Sequence, residues 1–337
     1  MTLGWGIIGF GWVAQDYMAP AIKAAGHRLV AVADPDPQAR RAAASLGAAG
    51  YDSAAALAAV PAVEAIYVAT PNHLHRSALE AVARVGKPVL CEKPMAASLA
   101  DARVMAEIVR RTGIVYGTAF DQRHHPAHRA MREALGSGAI GTPTAIRIVY
   151  ACWVGRDWSE SGGRENWRID AQKAGGGALI DLAPHGIDLV EFMLGEPIVD
   201  LAALMQSRVQ DYAADDGAVL IGRTASGVLV SLHVAYNCPE GLPRRRLEIV
   251  GSAGQLVAEN TMGQDPGGTV TLTDQTGASQ RLPVRDADAS PFARQVLAFA
   301  DAIRTGGSPE FSVARDLHTA ELIERAYGRP PRIEAAA

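Results

Sequence analysis

The chain has 337 residues, with 32 Lys and Arg against 36 Asp and Glu, for a formal net charge of -4. That length allows two domains and a sizeable core. The scattered charge argues against a nucleic-acid partner, and no run approaches the ~18 apolar residues of a membrane span. Cys91, Cys152 and Cys238 are odd in number and widely spaced, as reduced thiols of a cytoplasmic protein would be. Leu3 to Ile8 is apolar but has no charged segment before it, so no signal peptide is expected.

Trp5 to Ile8 reads as a short strand, and residues 13–25 as a helix in which Pro20 must be absorbed as a kink or a break. Leu29 to Ala33 is a second strand, ending in Asp34; 38–46 and 53–59 are helical. Ala65 to Ala69 is a strand, Pro71 to His75 a loop, and a helix follows to about Val85. Pro88 to Cys91 is a strand, 98–112 a helix, and Ile114 to Thr118 a strand. Strands alternating with helices predict a doubly wound parallel sheet, an α/β domain over residues 1–120.

Gly9-Phe10-Gly11-Trp12-Val13-Ala14 falls where the first strand turns into the first helix. Gly9 permits the tight turn, Gly11 lets backbone approach a pyrophosphate, and Ala14 keeps helix and strand close. The free N–H groups of the helix start then face the phosphates. Asp34 is placed to accept hydrogen bonds from a ribose diol. Asp36 beside it adds a second carboxylate, and each would repel a 2′-phosphate by roughly 1–4 kcal/mol. NAD is therefore expected over NADP, with Arg40 the one nearby cation that would oppose this. Gly9, Phe10, Gly11, Trp12, Val13, Asp34, Thr70, Asn72, His75, Glu92 and Lys93 form the expected cofactor set. His73 and His75, two apart in a loop, are poor metal ligands, and no metal is expected.

Past residue 120 the pattern changes. Pro126 to Leu135 reads as a helix and Pro143 to Ala151 as a strand. Later strands are expected at about 198–206, 217–222, 227–236, 245–251, 254–259 and 268–273, separated by glycine turns. Strands in succession predict antiparallel pairing in a second, substrate-binding unit over 121–337. Helices at 291–304 and from Ser312 to about Tyr327 close the chain, and are expected to pack back on the first domain.

Asp181 and His185 lie four apart after Gly175-Gly176-Gly177, so a helix would put both on one side. Pro184 belongs in a first turn, which places Asp181 at the helix start. Oxidising an alcohol sends hydride to a nicotinamide and releases the hydroxyl proton. His185 titrates in the right range to take it. Lys93 can stabilise developing alkoxide charge or, with a depressed pKa, accept the proton itself. Asp181 orients His185 or binds a neighbouring hydroxyl. Trp153, Trp158 and Trp167, with Arg156, Arg164 and Arg168, suit the apolar faces and hydroxyl rims of a sugar or cyclitol. Trp167, Arg168 and Tyr236 are expected nearest the substrate, with Asn237 a further candidate. His124, His125 and His128 read as surface or pocket-edge histidines, and Arg244-Arg245-Arg246 as a solvated loop end.

Taken in order, Ala69-Thr70-Pro71-Asn72-His73-Leu74-His75, Cys91-Glu92-Lys93-Pro94-Met95-Ala96, Ser137 to Gly141, Gly175 to Asp181, His185, Ile187-Asp188 and Leu247 to Gly251 before Gly254-Gln255-Leu256 give the chain a likeness to one family. Along most of its length it resembles the Gfo/Idh/MocA oxidoreductases. The resemblance implies a Rossmann domain followed by an α+β domain with a large, mostly antiparallel, open-faced sheet. It also implies homodimers or homotetramers through that sheet, and Lys93, Asp181 and His185 as the catalytic group. Many members carry an Asn-Arg-Arg-Phe-like stretch where this chain has Asp121-Gln122-Arg123-His124. Arg123 fits, and by resemblance is expected at the cofactor and the substrate wall; Asp121 and His124 depart. The expected activity is NAD-dependent oxidation of a secondary hydroxyl of a sugar, sugar derivative or cyclitol. The alternatives are an NAD-using glycoside hydrolase working through transient oxidation, an NAD-bound sensor without turnover, or a reductase or aromatic-diol dehydrogenase of the same family.

Overall fold

The computed structural model describes residues 2–158 and 166–328; Arg164 lies outside them. Six strands make a parallel sheet in the order β3-β2-β1-β4-β5-β6. They are β1 (Gly4–Ile8), β2 (Arg28–Ala33), β3 (Ala49–Tyr51), β4 (Ala65–Val68), β5 (Val89–Cys91) and β6 (Tyr116–Thr118). The strands β1 and β4 are buried along their whole length, as a sheet covered by helices on both faces requires. Strand order reverses between β1 and β4, which opens a crevice at their carboxyl ends. The three-residue β3 carries no alternation to betray it, and it pairs with β2 from Ala31↔Ala49 to Ala33↔Tyr51.

At Pro20 the first helix changes type. A π turn over Val13–Met18 runs into an α segment, Ala19–Ala24, so the proline falls at the start of a new hydrogen-bonding step.

The second sheet has eight strands in the order β14-β13-β12-β11-β7-β10-β9-β8. They are β7 (Pro143–Ala151), β8 (Ile198–Gln206), β9 (Gly217–Thr224), β10 (Leu229–Ala235), β11 (Arg245–Gly251), β12 (Gly254–Glu259), β13 (Thr269–Asp274) and β14 (Ser279–Arg281). All neighbours are antiparallel except β7 and β10, which run parallel from Leu229↔Ala145 to Ala235↔Ala151. The helix Ala178–Leu194 covers one face, its Ile187 and Val190 sharing a core with Ile146, Ile148, Leu232 and Leu247. Pro184 sits inside this helix and not in its first turn, yet Asp181 does fall in the first turn, as expected, and His185 follows on continuous helix. The other face of the sheet is open: Leu204, Val219, Ile221 and Leu229 are exposed there.

The two closing helices join the halves. In Pro291–Thr305, Phe292, Val296 and Phe299 enter the core built around Trp5 and Met18. In Val313–Gly328, the Asp316 carboxylate accepts the Thr118 backbone N–H at 3.0 Å, and Leu322 and Ala326 join the core of the second sheet.

Candidate active site

A cavity of about 910 Å³ runs from the carboxyl ends of β1, β2 and β4 to the covered face of the second sheet. Gly9, Gly11, Trp12 and Val13 line one end with Asp34, Asp36, Asp52 and Ser53. Gly9 has φ +84°, and a Cβ there would stand 2.7 Å from the Ala69 carbonyl oxygen, so only glycine makes this turn. Asp34 braces it: Oδ2 accepts the Phe10 N–H at 2.8 Å and Oδ1 the Asp36 N–H at 2.9 Å. Arg40 is not in the cavity lining; it donates to the carbonyls of Asp34 and Pro35 at 2.6 and 2.9 Å, which ties it to their backbone. Thr70 lines the same cavity with a buried Oγ1 that has no partner. A glycine cradle, a brace of carboxylates and an orphaned hydroxyl fit a dinucleotide with unphosphorylated adenosine ribose.

At the other end β5 delivers Glu92 and Lys93, and the helix Ala178–Leu194 delivers Asp181 and His185, all four lining the cavity. Lys93 Nζ donates to Asp181 Oδ1 at 2.6 Å and to the Asp181 carbonyl at 2.9 Å. Tyr236 Oη donates to Asp181 Oδ2 at 2.6 Å. Burial alone would raise the Asp181 carboxyl, but the charges of Lys93 and then Arg168, with these hydrogen bonds, hold it well below the usual carboxylate range. Burial, with Lys93 adding to it, drives the His185 imidazolium far down, against the opposing pull of Asp181. His185 is therefore neutral at pH 7. Its buried Nδ1 lies 3.4 Å from Asp121 Oδ1, too long and poorly directed for a formed hydrogen bond. Asp181 thus holds Lys93, and the carboxylate facing His185 is Asp121. Glu92 accepts the Tyr67 hydroxyl and the Lys93 N–H, and burial raises its pKa.

Several expected site residues turn elsewhere. Arg123 is buried against Asp188, its single Nε–H shared between the two carboxylate oxygens at 2.8 and 2.6 Å, over the Phe192 ring and away from the cavity lining. His75 is buried behind the lining, its Nε2 2.9 Å from the Thr70 carbonyl and its Nδ1 3.1 Å from that of Pro94, so it pins the cofactor loop to the turn after Lys93. Phe10 contributes its backbone only, for its ring is in the core. Tyr236 acts on Asp181 from outside the lining. Asn72 lines the cavity and donates to the Ala174 carbonyl at 2.8 Å, joining the two units. Asn237 donates to Asp216 at 3.0 Å. His124, His125 and His128 are buried, not superficial. No cluster of three potential metal ligands exists among the described residues.

Trp153, Trp158, Trp167 and Arg168, expected at the substrate, also line the cavity. The Arg168 guanidinium sits 4.5 Å from the Trp167 ring and 5.1 Å from that of Trp158. Trp158 in turn meets Trp12 of the glycine turn edge-on at 6.0 Å. Arg156 points instead to exposed Asp211. Sequence reasoning missed Asp52, Asp121, Tyr150, Cys152 and Gln264, which all line the cavity. It also missed the arginine run: Arg245 opens β11, Arg244 comes just before it, and both line the cavity instead of ending a solvated loop. Alternation along β11 was the available signal, for Arg245 shares its face with buried Leu247 and Ile249.

Comparison with known proteins shows the family and the fold. A family profile described as oxidoreductase family, NAD-binding Rossmann fold, matches residues 3–120, and one for the GFO/IDH/MocA C-terminal domain matches residues 128–257. A 1,5-anhydro-D-fructose reductase of Ensifer adhaerens is 35% identical over 308 residues, covering 90% of this chain and 89% of the relative. An inositol 2-dehydrogenase of Rhizobium meliloti (strain 1021) is 30% identical over 264 residues, covering 77% of this chain and 76% of its own. The solved structure of a levoglucosan dehydrogenase in complex with NADH and levoglucosan superposes with a TM-score of 0.83 at 24% identity, covering 97% of both chains.

Proposed function

Because the chain belongs to the GFO/IDH/MocA oxidoreductase family and carries its NAD-binding Rossmann domain, we propose that it moves hydride between NAD and a secondary hydroxyl of a sugar, sugar derivative or cyclitol. The observation that carries the reading is the meeting of Lys93, from the parallel sheet, with Asp181 and His185, from the second unit, at one end of a cavity whose other end fits a dinucleotide.

When bound, the nicotinamide supplies the hydride acceptor. The protein's own groups handle the proton. An ammonium held 2.6 Å from a carboxylate is a donor, so Lys93 hydrogen-bonds the reacting oxygen and stabilises the alkoxide charge that develops there. A neutral imidazole is an acceptor, so His185 takes the hydroxyl proton, and in reverse returns it. Asp181 positions Lys93, and Glu92 supports the same turn. The Trp158–Arg168–Trp167 stack presents a flat apolar and cationic wall to the sugar ring and its hydroxyls. The exposed apolar row on β8, β9 and β10 supports a homodimer or homotetramer through the open sheet face. No helix among the described residues is long and apolar enough to cross a membrane.

The test is one panel of sugars, cyclitols and anhydrosugars with NAD, and their keto forms with NADH, followed at the NADH absorbance band. The reading requires net cofactor turnover with at least one compound. Bond cleavage without net NADH would point to the glycosidase alternative, and binding without turnover to the sensor.

A further inference from the structure

Asp121 puts a buried carboxylate beside the His185 imidazole. We propose that Asp121 is the positioning residue for His185: its carboxylate faces Nδ1 at 3.4 Å and closes to a hydrogen bond with the Nδ1 proton when the site is loaded, so that Nε2 is presented to the substrate hydroxyl as the accepting lone pair. The proposal rests on the oxidoreductase reading above and assigns within it a group that reading leaves unused.

The geometry is built from several sides. Asp121 Oδ2 accepts from Gln122 Nε2 at 2.8 Å, and the same amide nitrogen donates to the Gly263 carbonyl at 2.7 Å. With its amide oxygen toward them, Gln295 accepts the backbone N–H groups of Phe120 and Asp121, each at 3.1 Å. That leaves Oδ1, 3.4 Å from His185 Nδ1. Asp121 is 4% exposed and His185 6%, so neither group can turn to bulk water instead. Tyr150 meets the His185 ring edge-on at 5.4 Å and limits its tilt. Asp181, the other carboxylate near the imidazole, already accepts from Lys93 and Tyr236.

The consequence for the reaction is direct. The hydroxyl O–H bond breaks toward His185 Nε2 while the carbinol C–H pair leaves as hydride to the nicotinamide, and the C–O bond becomes a carbonyl. The imidazole gains a positive charge in a buried place. An ionised Asp121 beside Nδ1 offsets that charge, as a carboxylate does for an imidazole base generally. The neighbours set when Asp121 is ionised. Burial first, then the Glu92 charge, push its carboxyl up to about 7, against the Gln122 hydrogen bond and Lys93. Tyr150 and Tyr67 also feel the Asp121 charge. A protonated Asp121 would donate to Nδ1 and leave the proton on Nε2, the wrong tautomer. Activity in the oxidising direction should therefore appear as pH rises through this range.

The experiment compares wild type, Asp121→Asn and Asp121→Ala, each with NAD, by nitrogen NMR of labelled histidine at pH 8, with His185→Gln to assign the signal. Wild type should show the Nδ1–H tautomer, and Asp121→Ala the Nε2–H form or a mixture. Asp121→Asn still offers an oxygen to Nδ1–H but no charge, so its acid limb near pH 7 should vanish. Its kcat should fall about tenfold, and that of Asp121→Ala about 10²-fold, with KM within about threefold of wild type. The same tautomer and pH profile in all three, or an Nε2–H wild type, would overturn the assignment. If Asp121→Ala does not fold, the acid limb of Asp121→Asn decides alone. The NMR arm needs no substrate, so it settles Asp121 even where the sugar panel gives no turnover. A protein that turns over with an unaltered imidazole would lose this assignment and keep the oxidoreductase reading.

Discussion

Lys93 and Asp181, 88 residues apart in the chain, form a 2.6 Å ion pair that closes the floor of the cavity between the two sheets. Each group is largely shielded from water, and each holds the other in the form the chemistry needs. Taking charges out of water is costly, so removing one partner leaves the other stranded.

Lys93→Met should therefore cost both rate and stability. Turnover should fall by about 10²–10³, the usual loss for one donor to a developing oxyanion. Stability should fall by about 1–3 kcal/mol, discounted because both side chains keep some exposure, and Lys93→Met with Asp181→Asn should recover part of it. The Asp181 carboxyl is depressed in the folded state. Its contribution is thus complete above the ordinary carboxyl pKa of ~3.9 and is lost only as pH falls through the native value. Denaturant melts should show a constant gap from pH 8 to pH 5 that narrows only in stronger acid.

Asp121→Asn should do the opposite to stability. The folded state raises this carboxyl to about 7, so it binds the proton more tightly than the unfolded chain does. Wild-type stability then declines relative to the variant as pH rises from ~4 to about 7. At pH 8 the variant should be more stable by on the order of 4 kcal/mol, and near pH 3 the two should match. Melts that ran parallel across this range would show that Asp121 titrates normally.

NAD should bind more tightly than NADP by at least about tenfold. Asp34, Asp36 and Asp52 all line the adenosine end, and one carboxylate near a 2′-phosphate already costs on the order of 1 kcal/mol. Asp34→Ala should weaken NAD by about 10–100-fold, since the glycine turn also loses the brace on Phe10. Calorimetric titration of both cofactors checks this, and tighter NADP binding would refute it.

Arg168→Gln should raise KM for the sugar about tenfold, equivalent to ~1.4 kcal/mol, and leave NAD affinity unchanged. The guanidinium lies between two tryptophan rings in the cavity lining and helps hold down the Asp181 carboxyl. An unaltered KM would place the sugar elsewhere.

The first half of the molecule was readable because its signals are local. Gly9, Gly11 and Asp34 sit at fixed offsets from strand ends, and Lys93 closes a buried strand. Two three-residue strands escaped, Ala49–Tyr51 and Ser279–Arg281, which are largely exposed and too short to show a period, whereas the equally short Val89–Cys91 and Tyr116–Thr118 are fully buried and were found. Pro184 misled for another reason: seventeen residues of apolar helix, buried on nearly every side, tolerate one missing N–H. The site itself was only partly legible. Nothing near Tyr236 announces that its hydroxyl meets Asp181, and nothing near Asp121 announces His185. Those pairings depend on how strands and helices from distant stretches are registered. Arg123 carried the expected local pattern, yet Asp188 captures it before it reaches the cavity.

The strand β7 has no partner that is close to it in sequence. It lies between β10 and β11, whose residues begin at Leu229 and Arg245. During synthesis, therefore, all six strands of the first sheet can have emerged while β7, with its Tyr150 and Ala151, waits for the ribosome to deliver its neighbours. Such non-local pairing is slow to form. For that interval an apolar strand has both edges bare, the condition in which nascent chains attract chaperones or one another. The price of a catalytic wall drawn from remote strands is a vulnerable moment in the birth of the protein.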